Sequence, residues 1–129
     1  MTGKPRLLVV DDDPFVLEML VIVLEEEGYA VETAGNGGEA LETFQRHPGI
    51  DLVLTDMNMP GMDGLQLTRE IRRRTAGVPV LLLTASDDGE SVRRAAGSGV
   101  HRSLVKDEGL MDRIAEEVAK ALRERQGNP

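Results

Sequence analysis

Short apolar runs rich in β-branched residues alternate along the chain with longer segments whose apolar positions recur every three or four residues. LLVV (7–10), YAVET (29–33), DLVLT (51–55), VPVLLLT (78–84) and the weaker VHRSLV (100–105) predict five strands. FVLEMLVIVLEEEG (15–28) predicts a helix with clear punctuation: Asp13 as N-cap, Pro14 at the first helical position, Gly28 as the stop. GEALETFQRH (38–47), GLQLTREIRRR (64–74) and DGESVRRAAGSG (88–99) predict three more, the last with acids at its start and arginines further on, as the helix dipole prefers. A fifth helix, about 109–125, places Leu110, Ile114, Val118 and Leu122 on one face. Strict alternation of strand and helix predicts an α/β fold: a five-stranded parallel sheet with five helices covering both faces. The first, third and fourth strands are almost wholly apolar and belong in the centre. Val31-Glu32-Thr33 and His101-Arg102-Ser103 suit edges.

Composition narrows the picture. The 129 residues fit one domain, 1–129, with enough chain for a sizeable core. With no cysteine, neither a disulfide framework nor a thiolate metal site is available. MTGKPRLLVV carries no signal-peptide run, and no segment reaches the roughly 18 apolar residues of a membrane span, so the expectation is a soluble, cytoplasmic chain without membrane contact. A net charge of −8, with two Phe, one Tyr and no Trp, argues against direct nucleic-acid binding and points to protein partners or cations. The last helix is followed only by RQGNP, which fits either a free-standing domain or one excised from a larger protein.

In an open parallel sheet the working groups lie beyond the carboxyl ends of the strands, near the point where strand order reverses. Asp11 and Asp12 end the first strand, Asp56 the third, Thr84 the fourth and Lys106 the fifth, so acids, a hydroxyl and an amine from four segments converge on one rim. Asp13 is accounted for as a helix cap, but one helix needs one cap, which leaves Asp11 and Asp12 in need of another role. An oxygen-rich rim suits magnesium, a hard cation that takes one or two carboxylates and keeps several waters. Two carboxylates about 4 Å apart repel by about 4 kcal/mol at an effective dielectric near 20, and a cation relieves that repulsion. Met57, Met59 and Met62 are read as packing.

LLVVDDDP (7–14), LTDMNMPGMDG (54–64), LLLTAS (81–86) and SLVK (103–106), in that order, resemble the receiver domain of two-component response regulators, including the single-domain chemotaxis-type regulators. The resemblance covers essentially the whole chain. It implies a flavodoxin-like, doubly wound five-stranded parallel sheet of order 2-1-3-4-5 and magnesium-dependent phosphotransfer from a histidine kinase or phosphotransfer protein. By position Asp56 matches the phosphoacceptor, Asp11 and Asp12 the metal-binding acids, Thr84 the switch hydroxyl and Lys106 the phosphate-contacting lysine. The backbone carbonyl of Asn58 matches a further Mg2+ ligand beside Asp56, and Asn58 and Ser86 flank the path of hydrolytic water. The output implied is a downstream protein or attached domain, with a homodimer through the fourth helix, fifth strand and fifth helix as one route. Receivers commonly carry an aromatic three residues before the lysine and a proline after it. Ser103 and Asp107 stand there, so the resemblance implies a complete acceptor site with an altered route away from it.

Rival readings fit the chain less well. AGNGGEA (34–40) gives G-x-G-x-x-A between a strand and a helix, as in a dinucleotide-binding oxidoreductase, but leaves Asp11, Asp12 and Lys106 without roles. DMNMPG imitates the opening of a calcium loop whose closing glutamate is replaced by Leu67. A phosphatase acting on external esters would want a second acid where Asn58 stands, so self-catalysed addition and loss of a phosphoryl group is expected rather than an enzyme. A receiver remnant that docks partners without phosphorylation is the remaining alternative.

Overall fold

The computed structural model describes residues 3–85, 93, 97 and 99–126. Five parallel strands, β1 (Arg6–Val10), β2 (Ala30–Ala34), β3 (Ile50–Asp56), β4 (Val80–Thr84) and β5 (Arg102–Val105), form one sheet of order β2-β1-β3-β4-β5. Four helices are seen among the described residues: α1 (Pro14–Glu26), α2 (Gly37–Arg46), α3 (Gly64–Arg74) and α4 (Leu110–Gln126). The fourth predicted helix, 88–99, falls largely outside the described residues, as does Ser86.

Alternation along each strand sorts the core into two layers. Leu7 and Val9 of β1 point with Leu52, Leu54, Leu81 and Leu83 toward α1 and α4, where Leu20, Leu24, Ile114 and Val118 complete the cluster. Leu8, Val10, Val53 and Val80 point the other way, toward Ala40 of α2 and Leu67 and Ile71 of α3. β1, β3 and β4 are buried almost throughout, while β2 and β5 are partly exposed, as edges should be. Met57 and Met59 are buried at 4% and 8% exposure and Met62 packs against the second cluster, so all three are packing residues.

Local chemistry sets the element ends. Asp13 Oδ1 accepts from the N–H groups of Phe15 at 2.9 Å and Val16 at 3.4 Å, with Pro14 opening α1. The helix closes with paired bonds, Gly28 N–H to Glu25 at 3.0 Å and Tyr29 N–H to Leu24 at 3.3 Å, and Gly28 takes a φ of 93° that favours glycine. α3 opens with a reciprocal capping box between Asp63 and Gln66. The strand expected from Val78 begins instead at Val80, because Pro79 has no N–H for the ladder. Likewise β5 begins at Arg102 rather than Val100, opposite Leu81 of β4.

Candidate functional site

Register brings the acids together. Val10 of β1 pairs with Thr55 of β3, so the next residues, Asp11 and Asp56, emerge side by side at the carboxyl rim. Carboxylate oxygens of Asp11, Asp12 and Asp56 all lie within 4.8 Å of one another. Asp11 is 1% exposed and Asp56 6%, whereas Asp12 is exposed to solvent. Asp11 is also braced from its own chain, accepting the Asp13 N–H on Oδ1 at 2.9 Å. The same turn that caps α1 therefore aims one acid inward.

On the other flank, Thr84 pairs with Val105, and the Lys106 N–H continues that ladder to the Thr84 carbonyl at 2.8 Å. The Lys106 ammonium donates to Asp11 Oδ2 at 2.9 Å and lies 3.5 Å from Asp56 Oδ1. The resemblance gives this lysine a phosphate contact; here its ammonium rests closer to Asp11 than to Asp56. Thr84 is buried, and its hydroxyl donates to the Leu104 carbonyl at 3.4 Å. Asn58 is exposed beyond the end of β3.

Charge at the rim is unbalanced. Burial first, and then repulsion from Asp11, raises the Asp56 carboxyl above the ordinary carboxylate value, against the opposing pull of Lys106 and the Asn58 N–H. For Lys106, burial is the largest single influence and acts downward, yet the Asp11 hydrogen bond and the charges of Asp11 and Asp56 outweigh it and raise its value overall. Three carboxylates facing one ammonium suit a hard divalent cation held by oxygen, so the donor set fits magnesium.

Gly64 is a site residue that sequence reasoning passed over as a mere helix start. A Cβ there would stand 2.5 Å from the Asp56 carbonyl oxygen and 2.6 Å from Leu82 Cδ1. Its N–H donates to the Met57 carbonyl at 2.9 Å, so the missing side chain lets α3 seat directly on the end of the Asp56 strand. The Asp63-Gly64 pair after LTDMNMPGM was the available signal. In AGNGGEA, Asn36 caps α2 through the Glu39 N–H at 2.8 Å, and Gly37 lies against Met62, where a Cβ would stand 2.8 Å from the methionine Cβ.

Residues 7–119 match the family model of the response regulator receiver domain, and the chain belongs to that family of phosphoacceptor signalling domains. The transcriptional regulatory protein GlrR of Escherichia coli is 43% identical over 107 residues, covering 82% of this chain and 24% of the relative. The DNA-binding response regulator MtrA of Mycolicibacterium smegmatis is 43% identical over 105 residues, 81% of this chain and 45% of the relative. The chain thus spans less than half the length of these relatives. Among solved structures, a CheY-like receiver domain protein from Methanospirillum hungatei superposes with a TM-score of 0.90 at 26% identity, covering 98% of this chain and 100% of the other. The response regulator TrrA of Thermotoga maritima, in complex with Mg2+ and BeF, gives 0.80 at 39% identity, with 90% and 97% covered. Membership in this family displaces the oxidoreductase reading. Among the described residues no helix is long and apolar enough to cross a membrane.

Proposed function

We propose that the chain is a single receiver domain, 1–129, working in the cytoplasm, in which Asp56 accepts a phosphoryl group from a histidine kinase or phosphotransfer protein. The observation that carries this is the meeting of Asp11, Asp12 and Asp56 within 4.8 Å, with Lys106 bridging two of them. A carboxylate oxygen of Asp56 attacks phosphorus in line, the donor's bond to phosphorus breaks, and an acyl phosphate forms. Lys106 shifts from Asp11 and Asp56 onto the phosphoryl oxygens, and the Thr84 hydroxyl turns from the Leu104 carbonyl to donate to another. Asp11, Asp12, Asp56 and the Asn58 carbonyl would hold Mg2+, which when bound neutralises the charge on the phosphoryl oxygens. That TrrA, similar in fold and 39% identical, forms a complex with Mg2+ and BeF supports a magnesium-dependent site here.

Water later cleaves the acyl phosphate, with Asn58 beside its path, so the domain adds and loses the group by its own chemistry and turns over no separate substrate. The signal passes to a protein target or attached domain, including a second copy at the face that β5 and α4 share. Intact-mass measurement after treatment with acetyl phosphate and magnesium tests the acceptor: wild type gains one phosphoryl increment and Asp56→Asn none. Equal labelling of both overturns the assignment, and no labelling of wild type favours a phosphorylation-independent docking protein.

A further inference from the structure

Lys106 must present its ammonium to the acceptor from the first residue beyond β5, where receivers commonly use a proline to shape the next turn and this chain has Asp107. The described geometry shows what stands in its place. The Asp107 N–H folds back to the Val105 carbonyl at 3.0 Å, and the Leu110 N–H reaches the Asp107 carbonyl at 3.1 Å. Asp107 Oδ1 accepts from the Gly109 N–H at 3.1 Å and from Arg113 Nη1 at 2.8 Å. The second arm of the same guanidinium, Nη2, donates to the Val105 carbonyl at 3.2 Å.

Arg113 thus grips the chain on both sides of Lys106, at Val105 before it and Asp107 after it. Its own position is firm, because the adjacent Ile114 is fully buried and Leu110 is 3% exposed. Gly109 leaves space for the grip: a Cβ there would stand 3.0 Å from Arg113 Nη1 and 3.7 Å from Asp107 Oδ1. An exposed ion pair alone contributes little to folding. A planar fork that joins two acceptors across a turn does something else, since it fixes the backbone from which the lysine springs. Buried Asp11 marks the other end of the lysine's reach, so a shift of its root alters where the ammonium stands.

We propose that Asp107 and Arg113 form a clasp that positions Lys106 for the phosphoryl group, the two acting as positioning residues through the lysine. This rests on the assignment of Asp56 as acceptor. The chemistry asks for the fork rather than the charge: a lysine at 113 could meet Asp107 or the Val105 carbonyl, and its single nitrogen could not span both as the guanidinium does. An asparagine at 107 keeps an oxygen for both the Gly109 N–H and the Arg113 Nη1.

Calorimetric titration with magnesium alone, and then with beryllium fluoride at saturating magnesium, tests the clasp in wild type, Arg113→Ala, Arg113→Lys, Asp107→Ala and Asp107→Asn. Thermal melting confirms that each variant is folded. Beryllium fluoride affinity is expected to fall on the order of fivefold in Arg113→Ala, Arg113→Lys and Asp107→Ala, since a charged hydrogen bond held off its geometry loses much of its value. Asp107→Asn retains most of the affinity. Magnesium affinity, which does not depend on where Lys106 is aimed beyond its competition for Asp11, stays equal or rises. Wild-type beryllium fluoride affinity in Arg113→Ala and Asp107→Ala overturns the clasp, and so does wild-type affinity in Arg113→Lys. If wild type itself neither binds beryllium fluoride nor is labelled at Asp56, the acceptor assignment fails instead.

Discussion

Where the strands begin, Glu32 meets Arg6 and the His47 ring, Asp51 meets Arg125 at 3.1 Å, and Glu124 meets Arg102 at 2.8 Å and the His101 ring at 2.7 Å. Where the strands end, Asp11, Asp12 and Asp56 crowd together, and among the described residues Lys106 is the cation set against them. Both rims belong to the same sheet and use the same residue types. The first matches each of these acids with a base and leaves it partly in water, an arrangement of small net worth that tolerates change. The second buries two acids with one ammonium between them, which costs stability in the empty state and, under the proposed function, is offset when a cation and then a phosphoryl group bind. Imbalance, more than the presence of acids, distinguishes the working end.

The sharpest break in this contrast comes from Asp12→Ala. A ligand that binds only the folded state stabilises it by about 2.7 kcal/mol at a hundred times its dissociation constant. Wild type should gain stability of that order with magnesium, and Asp12→Ala should lose nearly all of the gain while its metal-free form is as stable as wild type or more so. Melting curves with and without magnesium read both. A full magnesium response in Asp12→Ala moves the cation site elsewhere on the molecule.

Gly64→Ala acts on the same rim through packing. The added methyl has no free space between the Asp56 carbonyl and Leu82, and overpacking of this kind costs about 1–3 kcal/mol. Because the strain falls on the strand end that carries Asp56, the proposed acceptor, phosphoryl labelling by acetyl phosphate should slow as well. Chemical denaturation and timed mass spectrometry measure the two effects. Unchanged labelling in a destabilised variant would separate the seat of α3 from the placement of Asp56.

Much of this rim was legible before any coordinates. Three wholly apolar strands named the centre of the sheet, Asp13-Pro14 announced α1, and the rule that chemistry gathers at carboxyl ends collected Asp11, Asp56, Thr84 and Lys106 from distant segments. What sequence reasoning missed depends on distances between segments. Gly64 looks like a helix start until α3 is laid against β3, and the Lys106 contact with Asp11 spans 95 positions. Arg113 reads as one more charged residue on a helix whose apolar face does the predicting, and its fork is visible only once the turn before α4 is folded. Element ends shifted for local reasons, as where Pro79 delays β4.

The balanced rim supplies the control. Arg125→Ala removes a contact between two partly exposed side chains, with a further donation to the Asp51 carbonyl at 3.0 Å, and should cost about 0.5 kcal/mol, near the middle of the range for exposed pairs. Its magnesium response should equal that of wild type. Raising the ionic strength should shrink the difference between the two proteins, since exposed pairs are screened. A magnesium response altered by Arg125→Ala would show that the rims are coupled through the sheet, and the contrast between them would lose its meaning.

The smallest effect is one of pH, and its sign follows from Asp56. Its carboxyl is raised in the folded protein, by burial first and by Asp11 second, so the folded state holds this proton over a range where the unfolded chain has released it. Stability from that proton is fully present below the unfolded carboxylate value and is lost as pH rises through the folded value. Above the folded value the metal-free wild type carries an ionised Asp56 at a cost, offset in part by Lys106. Asp56→Asn removes the charge, so metal-free Asp56→Asn should be slightly more stable than wild type near neutral pH. The advantage should fade as pH drops below the ordinary carboxylate range, where wild type is protonated too. Saturating magnesium should reverse the order near neutrality, because the substituted protein has lost a carboxylate from the cation site. Melting temperatures of both proteins across pH, with and without magnesium, test this. An advantage for Asp56→Asn that persists undiminished at low pH would mean that packing, and not charge, separates the two, and that the excess of acid at this rim lies on Asp11 and Asp12 alone.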